Sequence, residues 1–233
     1  MTTLPTPPVP RPLWPLALAA ALLPVLTTHL CFLVSAGQGH IDWCFPYWEG
    51  CSSISRAGRH GLAYFLFKGG MIPACVLLAA FWWGNRVWLQ TLGSTRGRWI
   101  GWLGLFGSLS LLAYTLTLGH RGDEFNLVRR IGVIGYFGLT FIAQVQLGAA
   151  LLRLPGWQQA GRRLLMLSAV ILAIGLLSVV LGVIHPDRYD DMEDGFEWTL
   201  ALLMDGHGLW VALLWRRAGF SVTPGSGRPS GGR

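Results

Sequence analysis

Charged residues are scarce in this chain of 233 residues, and lysine is nearly missing from it. Only 12% of the residues are charged while 52% are hydrophobic, a composition that excludes an ordinary soluble globular domain. Lys68 is the single lysine among 18 basic residues. The others are arginines, and this bias is typical of a GC-rich bacterial genome.

The chain also lacks any polar segment long enough to form a separate soluble module. Six apolar stretches of about 18–24 residues fill most of it, and each could cross a bilayer core of about 30 Å as a helix. We therefore predict an all-α polytopic membrane protein, a bundle of six transmembrane helices. The predicted spans are residues 13–36, 61–83, 99–119, 131–152, 164–184 and 198–215.

The transmembrane domain is expected to cover residues 13–217. The flanking residues 1–12 and 218–233 are rich in Pro, Gly, Ser and Thr, and we predict that they are disordered tails. A cleaved signal peptide is an alternative for the first stretch. Its apolar run is longer than the roughly 7–15 residues of a typical signal sequence, which favours a retained helix.

The positions of the arginines predict the orientation. Basic residues without any acid occupy the segments before the first span, after the second, after the fourth and after the sixth. They are Arg11, Arg86, Arg96, Arg98, Arg153, Arg162, Arg163, Arg216, Arg217, Arg228 and Arg233. By the positive-inside rule both termini are cytoplasmic. The net charge of +7 lies mainly in these segments, so orientation and contact with anionic lipid explain it better than nucleic acid does.

The first predicted outer loop, residues 37–60, is the longest and contains two cysteines. Cys44 and Cys51 lie seven positions apart on the oxidising side, which predicts a disulfide that closes a short loop. Two free thiols at the membrane interface remain the alternative. Cys31 and Cys75 lie within predicted helices and are interpreted as packing residues.

Three ionisable side chains on three different predicted spans share one depth in the membrane, where an unpaired charge is costly. His29, Lys68 and Asp205 each lie seven residues from the predicted outer end of a helix, about 10 Å deep at 1.5 Å per residue. We expect an intramembrane polar cluster at this level, with an ion pair between Lys68 and Asp205. The alternative is that the pair only fixes helix packing.

Catalytic and metal-binding motifs are missing as well. No HxxxH or HExxH spacing is present, so neither a metal nor another cofactor is expected. The acidic run at residues 185–194 lacks the glycine spacing of an EF-hand and is interpreted as a solvated loop rather than a cation site. A nucleophile elbow and an HxxxxD run are also absent, which favours binding over catalysis.

Short motifs in the first loop and at the start of the last span form a recognisable set. They are Gly39-His40, Phe45-Pro46-Tyr47, Ile54-Ser55-Arg56-Ala57-Gly58 and Phe196-Glu197-Trp198-Thr199. With the six spans, they resemble the Frag/DRAM/Sfk family, whose first loop often contains Ile-Ser-Asp-Thr-Gly and whose last span begins with Glu-Trp or Glu-Tyr. Arg56 stands where many members have aspartate, and Arg129-Arg130 where a His-Asp pair is common.

The resemblance implies a lipid-related function. Family members include autophagy modulators of lysosomal membranes, a factor in GPI-anchor lipid remodelling, and plasma-membrane proteins that affect phosphoinositide metabolism and lipid asymmetry. We therefore expect a protein of the bacterial inner membrane that binds or organises lipids, with an anionic headgroup on the outer side under the first loop. The expected headgroup residues are Arg56, Arg59, Lys68, Arg129 and Arg130. These arginines could instead simply neutralise the acidic loop.

A lipid-modifying enzyme, either a hydrolase or an acyltransferase, is the alternative function. Its candidate catalytic residues are Ser55 and His60 acting with Glu197 or Asp205, because such sets can assemble from separate segments. A proton-coupled transporter is a more distant alternative, which rests only on the ionisable residues inside the spans.

Overall fold

Eight helices and one short strand pair make up the computed structural model, which describes residues 10–190 and 192–222. The helices are α1 (Trp14–Gly37), α2 (Ile54–Ala57), α3 (Gly61–Thr91), α4 (Ile100–Thr117), α5 (Asp123–Leu152), α6 (Gln158–Ile184), α7 (Pro186–Asp190) and α8 (Glu193–Ala218). Six of them are long and apolar enough to cross a membrane: α1, α3, α4, α5, α6 and α8. The prediction of an all-α, six-span membrane protein is confirmed.

Four of the spanning helices, α3, α5, α6 and α8, are longer than their apolar runs predicted. Helix α3 continues to Thr91 rather than ending at residue 83, because Asn85 and Trp88 on its last turns are buried against neighbouring helices. Helix α5 begins at Asp123 rather than at residue 131. Its first turn carries Asp123 and Glu124, which interact favourably with the partial positive charge of a helix N-terminus. The short helices α2 and α7 were not predicted.

The six spanning helices are arranged as a closed ring. Each one packs against the next along the chain, and α8 packs back against α1. Small residues allow the close approaches: a Cβ atom at Gly104 of α4 would overlap Trp82 of α3, and one at Gly132 of α5 would overlap the Ser110 carbonyl of α4. Side chains that point into the ring form the core.

The two ends of the ring differ. The loop end carries residues 38–60, 118–122 and 185–190, whereas the terminal end carries residues 10–13, 92–99, 153–157 and 219–222. At the terminal end, strand β1 (Arg11–Pro12) pairs antiparallel with strand β2 (Ser221–Val222). These residues, predicted to belong to disordered tails, are therefore ordered. The remainder of the predicted tails, residues 1–9 and 223–233, lies outside the described residues.

Buried tryptophans close the ring at its terminal end. Trp82, Trp88 and Trp215 are each at most 2% exposed. The indole N–H of Trp215 donates a 3.1 Å hydrogen bond to Oδ1 of Asn85, and the Asn85 amide donates one of 3.1 Å to the Phe81 carbonyl. These side chains fill the interior of the ring at its terminal end among the described residues.

Candidate functional site at the loop end

The first loop is fastened over the loop end of the ring. Cys44 and Cys51 form a disulfide, which confirms the predicted pairing. Further along, the indole N–H of Trp198 on α8 donates a 2.8 Å hydrogen bond to the Ser52 carbonyl, and both residues are buried. The disulfide thus closes residues 44–51 within the loop, and the buried hydrogen bond holds the loop against α8.

A second contact joins the loop to α1 through His29. Its Nδ1 lies 2.7 Å from the Val25 carbonyl and its Nε2 lies 2.7 Å from the Tyr47 hydroxyl. Since a carbonyl only accepts, Nδ1 carries a proton, and Nε2 pairs with the Tyr47 hydroxyl. Burial, and to a lesser degree the negative charge of Asp205, raises the pKa of Tyr47 above its usual value near 10, which keeps this hydroxyl able to donate.

Helix α2 holds the loop motif that contains Ser55. Its N-cap Ser53 accepts a 3.1 Å hydrogen bond from the Arg56 backbone N–H, as expected of a serine cap. Arg56 lies 4.0 Å from Asp194 at the start of α8. After α2, Gly58 lies so close to the Phe67 ring that a Cβ atom would overlap it. The helix is therefore seated directly on the ring, with Ser55 facing inwards.

Beneath α2 lies a cavity of about 400 Å³, the loop-end cavity. Its polar lining consists of Ser55, Tyr114, Arg129, Arg130, Ser178, Tyr189, Glu193 and Glu197. Its apolar lining consists of Val133, Phe137, Phe196 and Leu200. A volume of this size is ordinary for a small-molecule site, and the mixed lining suits an amphipathic ligand.

The charged groups of the loop-end cavity are not equally available. Arg129 donates hydrogen bonds of 2.9 Å to the carbonyls of Thr117 and His120, and it also contacts Asn126, so its guanidinium is occupied by the turn before α5. Arg130 has no hydrogen bond to any described side chain or backbone group and is exposed. It is the cation in this lining that is free to meet a ligand.

A smaller inner cavity of about 50 Å³ continues towards the centre of the ring. Glu197 and Tyr114 line both cavities, while Asp205 lines only the inner one of the two. The Tyr114 residue is 6% exposed, and its hydroxyl has no hydrogen-bond partner among the described residues. Such an orphaned buried hydroxyl is uncommon in a folded protein.

The expected ion pair between Lys68 and Asp205 does not form. The Lys68 ammonium donates a 2.6 Å hydrogen bond to the Tyr64 hydroxyl and one of 3.2 Å to the Leu116 carbonyl. It also lies 4.3 Å from the centre of the Tyr64 ring. Lys68 therefore faces the end of α4, and neither it nor His29 joins Asp205 in the lining of the inner cavity. The predicted three-residue cluster is not assembled.

The remaining predicted residues divide between the cavity and its rim. Ser55, Arg129, Arg130 and Glu197 line the loop-end cavity. Arg59 donates a 3.4 Å hydrogen bond to Ser55 at the rim, and Arg56 faces Asp194.

The candidate catalytic set is not brought together. His60 is exposed, and its ring lies 5.7 Å from that of His40 rather than in the cavity lining. Ser55 and Glu197 share the loop-end cavity, but the imidazole expected to activate the serine is elsewhere.

The wall formed by α6 is open towards the membrane near the loop end. The close approaches of α5 to α6 lie near the terminal end, where Gly148 faces Leu165 and Gly161 faces Leu152. In the half of α6 nearer the loop end, Ser178 is the single buried residue, and Val183 is 78% exposed. On this side of the loop-end cavity, α6 therefore presents mainly exposed apolar residues.

Comparison with known proteins agrees with this architecture. The family model described as Frag1/DRAM/Sfk1/Cwh43P N-terminal domain matches residues 12–212. The chain belongs to this family. No curated protein matches the chain, and no solved structure matches it.

Several cavity residues of this Frag1/DRAM/Sfk1 family member were not predicted from the sequence. Ser178 and Tyr189 are joined by a 2.8 Å hydrogen bond between their hydroxyls, and both line the loop-end cavity. Glu193 had been assigned to a solvated acidic loop, whereas it begins α8 and faces the cavity. The sequence signal for these positions was the helical spacing of hydroxyl-bearing residues in α6 and α4. That signal is weak, because apolar spans often contain such residues.

Proposed function

We propose that this membrane protein binds a phospholipid from the leaflet at its loop end, with the lipid phosphate near Arg130 in the loop-end cavity. The observation that carries the proposal is the cavity itself, about 400 Å³ in volume, with a free arginine beside an apolar wall. A guanidinium is well suited to a phosphate because it presents several N–H donors in one plane. Val133, Phe137 and Leu200 provide the apolar surface for the start of the acyl chains.

The opening beside α6 supports a membrane lipid over a water-soluble phosphate ester. Exposed apolar residues flank it on α6, so the approach to the cavity lies in hydrocarbon. A lipid that enters there keeps its chains in the bilayer and loses little apolar contact, while its headgroup reaches Arg130 under the first loop.

The orientation proposed with this function places the loop end outside the cytoplasm. The Cys44–Cys51 disulfide supports it, since structural disulfides persist in oxidising compartments. The arginines of the terminal end support it through the positive-inside rule. The arginine bias of the chain favours a bacterial plasma membrane, so the lipid would come from the periplasmic leaflet.

Lipid retention by purified protein tests this proposal. Val133→Trp fills the cavity, because Val133 lines both the loop-end and the inner cavity. Ile134→Trp is the matched control, since the adjacent Ile134 is 63% exposed on the outside of the ring. Native mass spectrometry after extraction in mild detergent should show bound phospholipid on the wild type and the control but little on Val133→Trp.

A second pair of variants addresses the phosphate contact. Arg130→Gln should lower the amount of retained lipid on the order of tenfold. This factor corresponds to the loss of about 1.4 kcal/mol of charge-assisted hydrogen bonding. Arg162→Gln, at the exposed start of α6 near the terminal end, should not lower it. Equal retention by Arg130→Gln and the wild type, or loss caused by Arg162→Gln alone, would contradict the proposal.

A further inference from the structure

The charges of the loop-end cavity do not match a purely anionic headgroup. Glu193 and Glu197 line it from α8, opposite Arg130 on α5. Helices α5 and α8 are not neighbours in the ring, since α6 lies between them. The cavity therefore presents a basic wall and an acidic wall that face each other across a gap.

The acidic wall has no cation of its own among the described side chains. The ion pair found there is that of Arg56 with Asp194, and it uses neither Glu193 nor Glu197. Arg129 is held by the turn before α5, and Lys68 is held by Tyr64 and the Leu116 carbonyl. The two glutamates consequently line the cavity without an ion pair among the described residues, Arg59 stays at the rim beside Ser55, and Arg130 is the lining arginine without a hydrogen bond.

We propose that the cavity selects a phospholipid whose headgroup carries a primary ammonium next to its phosphate, phosphatidylethanolamine being the simplest example. This inference rests on the proposed function and narrows its ligand. The phosphate binds Arg130, and the ammonium donates hydrogen bonds to the carboxylates of Glu193 and Glu197. Each charged wall then meets a group of opposite charge, which a phosphatidylglycerol headgroup would achieve only on the basic side.

Hydroxyl groups complete the fit to a primary ammonium. An –NH3+ group offers three N–H donors, so two carboxylates leave one donor free. The Tyr114 hydroxyl, buried and without a partner among the described residues, faces the same cavity beside Glu197 and can accept it. A trimethylated ammonium keeps its charge but has no N–H donors, so it would give neither the hydroxyl nor the carboxylates a hydrogen bond, and phosphatidylcholine should bind less well.

Competition between lipids with identical acyl chains tests the proposal. Purified protein in detergent is mixed with equal amounts of phosphatidylethanolamine, phosphatidylcholine and phosphatidylglycerol, and the bound species are counted by native mass spectrometry. We expect phosphatidylethanolamine to be preferred on the order of tenfold, because each lost charge-assisted contact contributes about that factor. Glu193→Gln, with Glu193 exposed and therefore tolerant of change, should abolish most of this preference and increase phosphatidylglycerol binding.

Controls separate this inference from the proposed function. Glu124→Gln alters an exposed acid that is outside the cavity lining, and it should keep the preference. Arg130→Gln should weaken the binding of all three lipids to a similar extent. Equal or stronger binding of phosphatidylglycerol by the wild type, with Arg130→Gln still deleterious, overturns the ammonium proposal alone. Lipid binding that does not depend on Arg130 overturns the proposed function and this inference with it.

Discussion

Replacing Trp198 by phenylalanine should loosen the first loop from the ring and destabilise the protein measurably. The indole N–H of Trp198 donates the 2.8 Å hydrogen bond to the Ser52 carbonyl. Trp198 is 1% exposed and Ser52 is 0% exposed, so water cannot replace the lost donor without local opening. Phenylalanine keeps an aromatic ring against Phe32 and Tyr47 but offers no N–H.

The magnitude follows from the carbonyl that is left without its donor. An unsatisfied buried acceptor costs about 1–3 kcal/mol, and the smaller ring adds a loss of packing. At a factor of ten per 1.4 kcal/mol, detachment of the loop becomes roughly 5- to 150-fold more frequent.

Thermal unfolding monitored by a thiol-reactive fluorophore provides the assay. Cys31 and Cys75 are free and buried, so they react only when the ring opens. A loss of 1 kcal/mol in the free energy of unfolding lowers the midpoint of thermal unfolding by about 2–4 °C in a domain of this length. Trp48→Phe is the matched control, because Trp48 lies in the same loop and is 86% exposed. A Trp198→Phe protein that unfolds at the wild-type midpoint, or at a midpoint no lower than that of Trp48→Phe, would refute the reasoning.

Three further predictions follow from contacts elsewhere in the ring. Cys44→Ser combined with Cys51→Ser should lower the free energy of unfolding by roughly 2–3 kcal/mol, because the disulfide closes a loop of sequence separation 7. Thermal unfolding with and without a reductant measures this change, and the reductant should not affect the double variant. Asn85→Leu should cost about 1–3 kcal/mol, since it leaves a buried indole N–H unpaired; an unchanged unfolding midpoint would contradict the hydrogen bond. Lys68→Met and Asp205→Asn should have additive effects on stability, whereas a coupling above about 0.5 kcal/mol would mean that the two side chains interact.

The features that could be predicted from the sequence are those that depend on composition along the chain. Apolar length defined the six spans, and the short spacing of Cys44 and Cys51 indicated their disulfide. The apolar runs did not define the full helices, because packing also buries polar residues such as Asn85 beyond the end of the run. The length of a helix in a membrane protein therefore depends also on tertiary contacts at the ends of that helix.

The pairing of side chains inside the membrane could not be predicted, because depth does not determine direction. Lys68 and Asp205 lie at similar depths by residue count, but Lys68 lies one helical turn from Tyr64 on the same face of α3 and is drawn towards α4. Asp205 lies on the face of α8 that continues from Glu197 into the ring. Rotation of each helix about its axis decides such contacts, and hydropathy contains little information about it.

The composition of the loop-end cavity was predicted in part. Ser55, Arg130 and Glu197 come from three separate segments, and the family resemblance together with the excess of charge near the first loop pointed to all three. Glu193 was missed because an acid in a run of acids usually faces water. Glu193 is exposed and also lines the cavity, because α8 begins at this position.

Photo-crosslinking with a phosphatidylethanolamine that carries a diazirine next to its phosphate tests the central claim most directly. After irradiation of the protein in vesicles, digestion and mass spectrometry locate the attached lipid. We predict attachment to peptides that contain Arg130, Glu193 or Glu197, and its loss in Val133→Trp but not in Ile134→Trp. The terminal end offers a competing site, a cavity of about 290 Å³ lined by Arg86, Arg98, Trp99 and Trp102. Attachment there, unaffected by Val133→Trp, would contradict a lipid site at the loop end.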